Sequence, residues 1–166
     1  MRILLFTALM ALSGCAPEEG DGDAVSCSIS GLSGIANANI DGAAWAGSGG
    51  SWSEAGSTIQ ITIESDVGFT MTLRGTKDSQ GDSVADRVND NLLPVTIDLG
   101  GADGSGGVMD QRNGLDAYAT NQPGGMGTLS ILELSDGTLS ACFEFDAVNE
   151  AGVIMEVRDG KVKIDG

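Results

Sequence analysis

The 166-residue chain contains no histidine. That absence excludes Ser-His-Asp and Cys-His catalysis and removes the usual zinc ligand. Basic side chains are scarce too, eight Lys and Arg against 24 Asp and Glu, for a formal charge of -16. Such a surface repels nucleic acid and anionic headgroups, keeps a chain soluble, and attracts cations or basic partners. Aromatic residues amount to only 4%. Carbohydrate stacking therefore has few platforms, and only Trp52 and Tyr118 lie near glycine-rich loops and outside the clearest core patterns. They are the ligand candidates, weighed against partly buried packing. No GxxxxGK[ST] phosphate loop occurs, sustained helical periodicity is missing, and no apolar run reaches the roughly 20 residues of a membrane-spanning helix.

What is present begins at the amino terminus. Met1 and Arg2 make a short positive region, Ile3 to Leu12 an apolar run, and Leu12-Ser13-Gly14-Cys15 follows, the three-part order of a secretion signal. The ending LSGC resembles the lipobox of bacterial lipoproteins; the alternative is an ordinary cleaved signal with a chance cysteine. The resemblance implies a signal peptide over 1–14, cleavage before Cys15 and acylation of its sulfur. Two acyl chains suffice to anchor a protein to a bilayer without spanning it. In the sorting pattern of such lipoproteins an aspartate after the cysteine marks the inner membrane; Ala16 stands there, which implies the outer membrane. Residues 15–26, CAPEEGDGDAVS, read as the acylated cysteine and a flexible acidic tether. Loss of Arg2 leaves seven basic residues against 24 acidic ones, so 7 − 24 gives a charge of -17. Cys27 and Cys142 remain, and an oxidising compartment predicts that they pair, two buried free thiols being the alternative.

Residues 27–166 read as a single β domain. Period-two alternation dominates it, punctuated by three Asp-Gly steps. At Asp41-Gly42 a type I′ turn would place Ala38 beside Trp45 and Ile40 beside Ala43, making Trp45 a core anchor. At Asp136-Gly137 the same turn would set Leu134 against Leu139 and Leu132 against Ala141. Cys142 would then point away from them, with Ile131 and Leu129, and the Cys27 segment would strap across that side. At Asp159-Gly160 a last hairpin would pair Val157 with Val162, Met155 with Ile164, and Glu156 with Lys163. Ile59, Ile61 and Ile63 alternate with polar residues, as do Phe69, Met71 and Leu73; Leu93 to Leu99 and Leu115 to Thr120 supply further strands. Glycine clusters at 47–50, 100–107 and 124–127 read as loops. The expected fold is an all-β antiparallel sandwich or barrel of about eight to ten short strands, with one short helix near 83–92.

The segments NIDGAAW and GTLSILELSDGTLSACFEFDAVNEAGVIMEVRDGKVKI resemble a group of small bacterial β-rich lipoproteins. That resemblance implies an exported β domain and carries over no catalytic residue.

The stretch DSQGDSVADRVNDN sets carboxylates at Asp78, Asp82, Asp86 and Asp90, one every fourth residue. Calcium takes six to eight oxygens, which dense aspartates on a turning loop can supply. An EF-hand template fails at Gln80, Ser83 and Asn89. The stretch is more similar to a thrombospondin type 3 calcium repeat, which implies ligands at these four aspartates but has Gln80 and Ser83 out of pattern. The competing reading is a helix opened by Ser83, with Val84, Val88 and Leu92 on its apolar face and the aspartates on its solvated one. The leading expectation is a membrane-anchored, non-enzymatic lipoprotein with a binding or envelope-structural role. The alternatives are a calcium-dependent module recognising a protein or glycan ligand, and an exported hydrolase working with paired carboxylates.

Overall fold

The computed structural model describes residues 27–66, 69–111, 116–135 and 137–165. The signal segment, Cys15, the tether and Asp136 lie outside the described residues.

Strand β1 (Ala36–Ile40) turns through Asp41 and Gly42 into β2 (Ala43–Gly47), with φ of 49° and 79° at the two turn residues, as type I′ requires. Ala38 pairs with Trp45 and Ile40 with Ala43, and Trp45 is buried, as the alternation predicts. After Ser48 the chain forms a meander of β3 (Gly49–Ala55), β4 (Thr58–Glu64) and β5 (Phe69–Gly75). Ile61 faces Leu73 and Ile63 faces Met71, all four without solvent exposure. Helix α1 (Val84–Asn89) starts where Ser83 Oγ accepts from the Asp86 amide at 3.3 Å. Strand β6 (Val95–Leu99) begins directly after Pro94. Then come β7 (Gly106–Gln111), β8 (Ala117–Ala119), β9 (Met126–Ser135), β10 (Thr138–Val148) and β11 (Ile154–Asp165).

All pairings are antiparallel, in the order β2-β1-β11-β10-β8-β7-β5-β4-β3, and the sheet is nearly closed into a barrel. It forks at β10, which pairs with β9 as far as Asp146 and with β8 at Val148; β6 continues the branch beyond β9. The described residues thus hold eleven strands. The alternating inward residues of both walls, among them Ile59, Ile97, Leu129 and Phe145, form one core.

Three sequence expectations fail for related reasons. Asp159-Gly160 is not a hairpin turn: β11 runs straight through it, and the register against both β1 and β10 slips there by one residue. The pair forms a β-bulge, with Asp159 in the left-handed region at φ 53°. Met155, Val157, Val162 and Ile164 still share the buried face, because a bulge switches the inward parity just as a tight turn would. Glu156 consequently lies opposite Asp146, not Lys163. Arg158 donates to Asp146 at 2.5 Å, and that hydrogen bond, reinforced by the charges of Asp146, Glu156 and Glu144, outweighs desolvation and raises its pKa. A second bulge pairs Ala141 with Ile131 in place of Leu132, so Ile131 and Leu129 face the core and not the side of Cys142.

The third failure concerns glycine. Gly47, Gly49, Gly50, Gly106, Gly107 and Gly127 lie within strands, not loops. A Cβ on Gly47 would stand 2.6 Å from Ile63 Cγ2, and one on Gly127 would stand 2.2 Å from Phe145 Cβ. Strand glycines mark such close approaches. The predicted strap is present: Cys27 and Cys142 are bridged with Cα atoms 6.0 Å apart, and Lys161 Nζ donates to the Ser30 carbonyl at 2.9 Å.

Candidate functional site

The outward face of the β4–β5–β7 wall carries two rows of side chains. Gln60 pairs with Arg74 and Arg74 with Gly106; Thr62 pairs with Thr72 and Thr72 with Val108. Because Gly106 has no side chain, the row beside Arg74 is hollow. One flank of that hollow is the loop between β6 and β7, whose glycines let it fold back on itself. Asp103 fixes it: Oδ1 accepts from the Ser105 amide at 3.1 Å and Oδ2 from the Ser105 hydroxyl at 2.8 Å, while Ser105 Oγ accepts from the Thr76 amide at 3.0 Å. Burial pushes the Asp103 carboxyl up, but the Ser105 hydroxyl and backbone amides outweigh it and hold the group below its ordinary value. The far flank is Thr120 and Asn121.

The result is a groove of about 480 Å³ on which Gln60, Thr72, Arg74 and Asn121 converge. None of these four side chains has a hydrogen-bond or ion-pair partner among the described residues. An unpaired guanidinium is unexpected in a chain with 24 carboxylates. Five N–H donors in a planar fork match a carboxylate two at a time, and amide and hydroxyl groups suit ligand hydroxyls.

The residues singled out by sequence lie elsewhere. Asp78 is buried and turned inward: its Oδ1 accepts from the amides of Gln80 and Asp82 at 2.9 and 2.8 Å, and Arg87 Nε stands 3.4 Å from Oδ2 without hydrogen-bond alignment. Asp82, Asp86 and Asp90 are exposed. Among the described residues no three acidic or sulfur side chains gather closely enough to hold a metal ion. Val84 is buried and Val88 packs against the core, but Leu92 is 48% exposed because the helix ends before it. Trp52 and Tyr118 are not brought together. Both sit on the inward face, Trp52 half-buried on β3 and Tyr118 buried on β8 with its ring edge-on to Phe69 at 6.3 Å. Tyr118 therefore offers no exposed stacking surface. A smaller hollow beside the disulfide gathers Glu144, Asp159 and Lys161, but Asp159 Oδ2 already accepts from Asn39 at 3.1 Å.

Sequence reasoning passed over the groove because its residues are separated by up to 61 positions, 60 to 121, and each is ordinary alone. The usable signal was Arg74 itself, a lone cation closing the polar alternation of FTMTLRG. No family model, curated protein or solved structure matches the chain.

Proposed function

We propose that the chain is a lipid-anchored protein of the cell envelope, held by Cys15 on an acidic tether, whose β domain binds a ligand without chemically changing it. The ligand class is a carboxylate-bearing saccharide seated in the groove between β5 and the 100–105 loop. The unpaired Arg74 guanidinium beside Gln60, Thr72 and Asn121 carries this reading. Arg74 takes the carboxylate, and the amides and hydroxyl take sugar hydroxyls. The lipobox resemblance at Leu12 to Cys15 supports the anchor, and the Cys27–Cys142 bridge is of the kind that oxidising compartments outside the cytoplasm maintain.

Titration calorimetry with oligogalacturonate against neutral oligoglucose tests the ligand class. Binding of the first alone is expected, and Arg74→Met should weaken it about 10- to 100-fold, the worth of a charge-assisted hydrogen-bond pair. Equal affinity for both sugars, or an unaffected variant, removes the reading. The anchor is tested separately by Cys15→Ser, which should move the protein from the membrane to the soluble fraction.

A further inference from the structure

Three strands, β2, β3 and β6, end the sheet or its branch, and two of them have something laid against their free edge. On β2 the Ser65 hydroxyl donates to the Ala46 carbonyl at 2.8 Å. Beside β6 the Ser79 amide donates to the Thr96 carbonyl at 2.9 Å, drawing the 77–83 loop along that strand. Among the described residues strand β3 has no hydrogen-bonded cover; only its start, at Gly50, comes close to Ile164 of β11. Its seven residues pair with β4 in unbroken register, and no backbone group of Gly49–Ala55 bonds to any other described segment. It contains no proline, lysine or bulge, the devices that blunt an edge against pairing, and Glu54 is its one charge. On its inward side Trp52, at the middle of β3, packs against the core but is only partly buried, and no described backbone group bonds along the edge beside it.

We propose that β3 is the pairing edge for a second copy of this chain, the two strands joining antiparallel about a two-fold axis at Trp52. An isologous pair of this kind needs a self-complementary strand. Centred on Trp52, all seven residues overlap: Gly49 meets Ala55, Gly50 meets Glu54, and Ser51 meets Ser53 of the other copy. Each Glu54 meets a glycine, so no like charges oppose each other. The two indoles meet on the inward face and cover each other's open side. Charge permits the same place. Two chains of -16 repel over most of their surface, and the run Ala43–Ala55 contributes one carboxylate over thirteen residues, so repulsion is low there. The inference rests on the barrel alone and is independent of the anchor and of the groove.

Ser51 and Ser53 are exposed and face outward, so they report the register without disturbing the core. Sedimentation equilibrium of the full chain in density-matched detergent is expected to give a dimer. Ser51→Glu with Ser53→Glu sets like charges opposite each other twice and should weaken it about tenfold or more. Ser51→Lys with Ser53→Glu sets lysine opposite glutamate twice and should restore it. Thermal melts of all three proteins show that each is folded. A wild-type monomer at every concentration, a dimer indifferent to the double-glutamate change, or equal loss in both variants overturns the proposal.

Discussion

A side chain added at Gly160 has nowhere to go. Its Cβ would lie 2.3 Å from Phe143 Cδ2 and 2.4 Å from the Phe143 carbonyl, where ring and backbone of β10 pass over the bulge. Overpacking of this kind costs about 1–3 kcal/mol. Gly160→Ala should therefore lower the unfolding free energy by that amount, seen as a fall in the urea midpoint equal to the loss divided by an unchanged slope, since the surface exposed on unfolding is hardly altered. An unaltered midpoint would mean that the Phe143 contact is not what demands glycine there. The same position explains what the sequence concealed. Asp-Gly suits a type I′ turn and also suits a bulge, because aspartate tolerates positive φ and glycine tolerates contact. Both solutions leave Val157 and Val162 on the same face, so alternation alone does not separate them. The choice is made by Phe143 and β1, both far away in sequence.

At the scale of an element, the segment from Asp78 to Leu92 was half legible. The Ser83 cap and the burial of Val84 follow from spacing, and they hold. The inward turn of Asp78 does not follow from spacing, since it depends on Arg87 and on the Ser79 bond to Thr96 in another element. Four aspartates at equal intervals are thereby unequal. Asp78→Ala deprives two backbone amides of a charged acceptor and leaves Arg87 without its ion, a loss of about 2 kcal/mol. Asp82→Asn, Asp86→Asn and Asp90→Asn change exposed groups and should each stay within about 0.5 kcal/mol. A calcium ion coordinated by all four would reverse that ranking and raise Tm in millimolar calcium over chelator. With the Asp78 oxygens already engaged, the expected Tm is the same in both, and a calcium-dependent rise would restore the metal reading.

For the whole molecule, the bridge between Cys27 and Cys142 joins the start of the domain to the strand at which the sheet forks, across 115 residues of sequence. In the chain-entropy view, a loop of that length restricts the unfolded state by about 4–5 kcal/mol, an upper value for its stabilisation. Cys27→Ser with Cys142→Ser, made together so that no single thiol remains, should lower Tm by about 10–15 °C for a domain of this size. The strap over the outer face of β10 and β11 would then be held by Lys161 on the Ser30 carbonyl and, at its far end, by the Lys163 amide on the Ile35 carbonyl. The groove at Arg74 lies on the outward face of the other wall, against β4, β5 and β7, and shares no residue with the strap. Stability and binding should therefore separate: well below the lowered Tm, the double variant should bind the acidic saccharide with unchanged affinity. A parallel fall in affinity would show that the strap sets the shape of the entire barrel, because only distortion carried through the core could reach a site on the opposite wall.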